Sequence, residues 1–254
     1  MAQANVPAVL MAALSQEVRP FLRRKQARRL QGVGLPVWEF QLKTGKGVLA
    51  ESGMGQDAAA RAATLLVEHY QPQVFISPGF GGAVTPELPH GALVLGETFW
   101  RYEPESGALE ELQAPPSPLV IADLVEKLRA AGLPAFRGSM VTTPIIIHKA
   151  SQGSALLHLP HPVLDLETAA VGASLRAKNI PLLALRTVTD TYDEEVPDFI
   201  NQAVREGKKL TAISALSWLA AEPRRLTALV NFWHHCRLAA GHLAQALEVV
   251  LEVL

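Results

Sequence analysis

The chain has one cysteine, Cys236, among its 254 residues. An intrachain disulfide is therefore impossible, and a cysteine-rich metal site is excluded. It has no excess of either charge: 23 Lys and Arg stand against 24 Asp and Glu, a formal net charge of −1. That balance gives no electrostatic reason to expect nucleic acid as a partner. The dense basic run, Arg23, Arg24 and Lys25 with Arg28 and Arg29, is expected at a solvated helix end or loop. No stretch of about 18 uninterrupted apolar residues occurs, so no membrane span is expected. No charged segment followed by an apolar one opens the chain, so no secretory signal is evident, and a cytoplasmic location is the default expectation.

What is present is core. Hydrophobic residues make up 49% of the chain and charged residues 19%, the balance of a globular protein with a sizeable interior. The apolar run AVLMAAL at 8–14 predicts a buried strand leading into a helix, with Ser15 as a possible N-cap. Residues 37–42 and 46–51 flank the turn Thr44-Gly45 and predict a hairpin. Gly53 and Gly55 lead into DAAARAATLLVEHY, a helix by composition and period. Further strands are predicted at 73–77, 91–98, 135–142, 162–166 and 181–189. Helices are predicted at 117–131, 148–157, 167–178 and 197–219. Strands alternating with helices predict an α/β fold with a mixed or mostly parallel sheet. The segment 101–117 is rich in Pro, Glu and Ser and reads as a surface loop or insertion. Pro223 separates residues 1–222 from a long, apolar helical stretch at 223–254.

Four places could carry chemistry. Glu17 follows the first strand, where open α/β sheets place their ligands; taken alone, a first-turn glutamate favouring the helix dipole explains it more simply. The loops S-G-M-G at 52–55 and P-G-F-G-G at 78–82 stand at strand ends, where glycine permits positive φ and close approach to a ligand. They supply Gly55, Gly79, Phe80 and Gly81. Neither is a Walker loop or a complete G-x-G-x-x-G pattern, and tight turns need glycine too. Finally, D-L-E at 165–167 and T-V-T-D at 187–190 each put a carboxylate at the end of a predicted buried strand. Glu167 and Asp190 could share a cleft, one accepting from hydroxyls and another giving a proton, or each could merely cap the next helix. His234, His235 and Cys236 are adjacent on a predicted helix, so they point in different directions and no metal site is expected of them.

In this order and spacing, LMAALSQEV, SGMG, PGFGG, LPHGALVLGE, DLETAAVGASLRAKNIP and LRTVTD resemble the nucleoside phosphorylase superfamily, and most closely the methylthioadenosine/S-adenosylhomocysteine nucleosidases. The resemblance runs from residue 8 to about 215. It implies a single three-layer α/β/α domain around a mixed, partly closed sheet, with 223–254 as a C-terminal helical extension on the same domain. It implies that Glu17 activates a water, that Glu167 grips the ribose hydroxyls, and that Asp190 binds the purine and helps protonate N7. Gly55, Gly79, Phe80, Gly81 and Leu166 would line the ribose side, and Ile146 and Ile147 the base. No metal or organic cofactor is implied, the partner is a small nucleoside, and a homodimer is the expected assembly.

Some positions depart from the pattern. Phosphorylases of this superfamily hold phosphate with an arginine and a serine where this chain has Ser77 and Phe80, which points to hydrolysis. The nucleosidases keep a serine at Phe80, a methionine at Leu166 and an aromatic ring near Ile146. The tail resembles that of the hopanoid-associated phosphorylase-like proteins, which makes an adenosylhopane-type substrate an alternative. Futalosine hydrolysis, phosphorolysis and a non-catalytic binding protein on this fold are the others.

Overall fold

The computed structural model describes residues 6–113, 117, 119–197, 200–202 and 225–254. Strand β1 (Ala8–Ala12) leads through Ala13 and Leu14 to helix α1 (Ser15–Arg24). Strands β2 (Arg28–Leu30), β3 (Val37–Leu42) and β4 (Gly45–Glu51) form an antiparallel edge, and α2 (Gln56–Tyr70) follows. Then come β5 (Val74–Ala83), β6 (Leu93–Glu103), β7 (Ala108–Leu112), α3 (Ile121–Ala130) and β8 (Ala135–Thr142). Short α4 (Lys149–Gln152) and a 3₁₀ turn (Ser154–Leu156) precede β9 (Val163–Asp165), α5 (Thr168–Arg176), β10 (Leu182–Asp190) and the 27-residue α6 (Arg225–Leu251).

Among the described residues, all ten strands belong to one mixed sheet, and part of it closes on itself. Strand β10 pairs with β5 on one edge and β6 on the other; β6 pairs with β8, β8 with β9, and β9 returns to β5. Every residue of β10 is buried, as expected of a strand covered on both faces. Helices α1, α3 and α6 pack one face of the sheet, where Leu10, Phe21, Leu95, Leu128, Leu243 and Leu247 are fully buried. Helices α2 and α5 pack the other, around Val9, Leu66, Phe75 and Leu175. Each such side chain contributes about 1.5–3 kcal/mol. The α/β/α layering and partly closed sheet expected from the resemblance are both present. Among the described residues, no helix is long and apolar enough to cross a membrane.

Several local expectations are corrected. Ser15 does not cap α1; Leu14 holds the cap position, and its N–H is accepted by the Glu17 carboxylate at 2.7 Å. PGFGG is not a loop after a strand but the second half of β5, which continues to Ala83. Segment 101–117 is not an insertion: β6 runs on to Glu103 and β7 pairs back against it through Trp100–Glu111 and Tyr102–Leu109. The strand periodicity is hidden there because half of β7 is glutamate-rich and faces water. Helix α3 starts at Ile121 rather than 117, and 148–157 splits into α4 and the 3₁₀ turn at Gly153. Of the helix predicted at 197–219, 198–199 and 203–219 lie outside the described residues, as does Pro223.

Candidate active site

The C-terminal ends of β1, β5, β9 and β10 converge on one cavity of about 150 Å³. Glu17, Phe80, Gly81, Ile146, Ile147, Leu166, Glu167 and Asp190 all line it, so residues spread over more than 170 positions of sequence meet there. Gly55 and Gly79 stand just behind it: Gly55 donates its N–H to Glu167, and Gly79 lies beside Glu17.

Glu17 is buried at 4% exposure and serves two elements at once. One carboxylate oxygen caps α1 through Leu14; the other accepts the Phe80 N–H at 2.9 Å. The helix-cap explanation and the cleft explanation for Glu17 are thus both realised. Burial pushes its carboxyl above the ordinary range, against the pull of those N–H donors and of Arg186.

Among the described residues, neither the Glu167 nor the Asp190 carboxylate caps a helix. Glu167 stands at the start of α5 but its carboxylate turns away and accepts the Gly55 N–H at 2.8 Å, 112 residues distant. Gly55 makes this possible with φ of +91° at the head of α2, where the helix dipole favours an anion. Burial, and then the charge of Asp165, push the Glu167 carboxyl up to about 7. Capping of α5 falls instead to Asp165, which accepts the Thr168 N–H at 3.2 Å. Asp190 accepts from Thr189 Oγ1 at 2.7 Å and from Lys149 Nζ at 2.8 Å.

The glycines of β5 have ordinary strand conformations, contrary to the expectation of positive φ. They are required by crowding. A Cβ on Gly79 would lie 3.2 Å from Glu17 Oε1, one on Gly81 2.3 Å from Val163 Cγ1, and one on Gly82 2.5 Å from Asp190 Oδ2.

Two cations escaped the sequence reading. Arg186, in the middle of β10, is buried and donates to Asp165 at 2.7 Å, to Thr168 Oγ1 at 2.7 Å and to the Ser77 carbonyl at 2.6 Å. Its Nε–H is buried with no partner among the described residues. Together with Glu17, Ser77, Gly79 and Glu167 it bounds a polar niche of about 10 Å³ that adjoins the cavity. Lys149, at the head of α4, is the second, and its ammonium is buried against Asp190. Four-residue spacing of Arg186 and Asp190 along an apolar run was the available signal for the first; Lys149 carried none.

Beyond the carboxylates the wall turns apolar. Ile146 packs with Val196, Ile200, Leu229 and Phe232. Farther along, the His90 ring stacks on His235 at 3.5 Å and His90 Nε2 lies 2.5 Å from Glu194 Oε2. These three could offer ligand atoms to a metal ion. The stacked imidazoles lie in planes tilted by only 29°, however, so their in-plane lone pairs do not converge well on one centre. His148 is the cap residue of α4, and its side chain is largely exposed.

A family model described as the Phosphorylase superfamily matches residues 7–216. The structure is similar to a 5′-methylthioadenosine/S-adenosylhomocysteine nucleosidase of Campylobacter jejuni, with a TM-score of 0.73 at 17% identity over 98% of this chain and 100% of that one. The corresponding nucleosidase of Neisseria meningitidis, solved with methylthio-immucillin-A, matches with a TM-score of 0.72 at 18% identity, again over 98% and 100%. A futalosine hydrolase mutant of Helicobacter pylori matches with a TM-score of 0.70 at 14% identity over the whole of both chains. At these identities the structures speak for the fold alone.

Proposed function

Because the chain belongs to the phosphorylase superfamily, we propose that it is a purine nucleosidase that cleaves the N-glycosidic bond of a 5′-modified adenine nucleoside with water. The observation that carries the choice of water is the niche beside Glu17. At about 10 Å³ it has the size of one water molecule and is too small for phosphate. Arg186, the cation a phosphate would need, is already committed to Asp165. Phe80 adds a ring where an anion would need a hydroxyl donor.

In this scheme the nucleoside lies in the cavity with its ribose over β5 and its base toward Ile146 and Ile147. Breaking the C1′–N9 bond leaves positive charge on the ribose and negative charge on the base. The carboxylates of Glu17 and Glu167 lower the cost of the first. Glu17 takes a proton from the attacking water, for which its burial-raised basicity suits it. Glu167 accepts from ribose hydroxyls, and the Asp190 end of the cavity delivers a proton to the base. No cofactor enters these steps. The implied homodimer, cytoplasmic location and C-terminal extension belong to the same reading.

The apolar wall of Val196, Ile200, Leu229 and Phe232 favours a second reading, a larger apolar group on the 5′ carbon, as in adenosylhopane. The test is free-base release from methylthioadenosine, S-adenosylhomocysteine, 5′-deoxyadenosine, inosine and futalosine, each with and without phosphate. Adenine release independent of phosphate is the expected result. Release only with phosphate would overturn the assignment of the niche to water. Hypoxanthine release from futalosine alone would move the substrate to that class.

A further inference from the structure

We infer that Lys149 is a positioning residue for the base end of this site: acting through Asp190, it is the proton reserve for the departing purine. The inference rests on the nucleosidase reading above and deepens it. Lys149 is buried at 6% exposure, yet it lines the cavity. Its ammonium has three protons and three acceptors: Asp190 Oδ2 at 2.8 Å, the Asp190 carbonyl at 3.4 Å and the Thr191 carbonyl. The other Asp190 oxygen receives the Thr189 hydroxyl at 2.7 Å. Among the described residues, every donor to Asp190 favours its ionised form, so the proton to be passed on is sought on its partner.

A purine leaves readily only when N7 is protonated. The Lys149–Asp190 pair holds one transferable proton, and it resides on the lysine. As the C1′–N9 electron pair moves to the base, a proton passes from Lys149 to Asp190 and from Asp190 to N7. Lysine is left as a neutral amine and the aspartate as it began. Glu17 meanwhile takes a proton from the attacking water, whose oxygen bonds C1′. Solvent returns one proton from Glu17 to Lys149, and the sum is nucleoside plus water giving free sugar and free base.

The ionisable groups facing the pair come from several elements. Glu17 and Glu167 lie across the cavity. Asp193, Glu194 and Glu195 follow β10, the last accepting the Ala150 N–H. His90 lies on the β5–β6 connection, and His235 and Cys236 on α6. None of them donates to Asp190, so the exchangeable proton is assigned to the lysine.

The test compares wild type, Lys149→Met and Lys149→Arg on two substrates with the same 5′-modified ribose. One carries adenine; the other carries p-nitrophenol, which leaves without protonation. Arginine keeps the positive charge but does not give up its proton in this range. Both variants are expected to lose about 100-fold or more in kcat on the adenine nucleoside, the scale of general acid catalysis. Both should stay within about 3-fold of wild type on the nitrophenyl riboside, which also shows that the fold is intact. Equal losses on both substrates would overturn the inference, as would full activity of Lys149→Arg on the adenine nucleoside. Wild type that releases nitrophenolate but no purine would overturn the purine reading along with it. If neither is released, the nucleosidase reading itself fails.

Discussion

The three carboxylates that line the cavity could be singled out in the sequence because each follows an apolar run, although a helix dipole or a helix cap would have explained each of them there, and only the family resemblance drew them together. Arg186 was not legible, because a single arginine inside LLALRTV looks like an interruption of a buried strand. Only the fold supplies Asp165, 21 residues earlier, to neutralise it. Lys149 was hidden for the opposite reason: in HKAS it looks like an ordinary surface lysine. Gly55 has the positive φ expected of it, but the β5 glycines were noticed for the wrong cause, since packing rather than φ demands them, and this separates two substitutions. Gly81→Ala drives a methyl into Val163 and the Leu164 carbonyl, neither of which can swing aside. It should cost about 1–3 kcal/mol of stability, read as a lowered denaturant midpoint. Gly79→Ala meets Glu17 Oε1 at 3.2 Å and should spare stability while lowering kcat, since it shifts the carboxylate beside the niche. Glu17→Gln should keep the α1 cap acceptor yet remove the base, with a loss of about 100-fold or more in base release.

At the scale of elements, period and composition identified those that bury one face, such as α2, and missed those that do not. β7 was lost because its alternation is filled with exposed Glu110 and Glu111, and the second half of β5 because glycine marks turns far more often than strands. Helix α6 joins both kinds of role. Its last turns supply Leu243, Leu247 and Val250 to the core, all fully buried, while Phe232 and Cys236 reach the cavity. Leu247→Ala should therefore cost about 2–5 kcal/mol in a urea melt. Cys236 reports on the other end. Burial pushes its thiol up to about 12, so almost no thiolate exists near neutral pH. Iodoacetamide at pH 8 should label the native protein far more slowly than the urea-unfolded chain; equal rates would mean that the helix stands away from the cavity.

At the scale of the molecule, gathering carboxylates in one dry cleft sets a pH dependence of stability. The Glu167 carboxyl titrates at about 7 in the folded chain against 4.5 ordinarily. Below pH 4.5 it is protonated in both states and costs nothing. Between about 4.5 and 7 the unfolded chain releases the proton while the folded one retains it, so this group's contribution falls as pH rises, by something on the order of 3 kcal/mol. Glu167→Gln should gain stability relative to wild type from pH 5 to pH 8 in paired melts; a constant difference would contradict the assigned environment. The alternation of strands and helices made the layered architecture legible, but closure of β5, β10, β6, β8 and β9 was visible only as an expectation of the family, because pairing between strands so far apart in sequence, as Leu182 with Phe75 and Leu185 with Leu95, leaves no local trace. That ring divides the site unevenly along the chain. The β6–β7 turn, exposed at Glu105 to Gly107, separates Glu17 and Phe80 from Glu167 and Asp190. Cleaved there, the chain falls into two halves, each with strands whose edges only the other can satisfy. Neither fragment holds a working cleft, and mixing them should restore one, which would make catalytic turnover a direct gauge of fragment complementation.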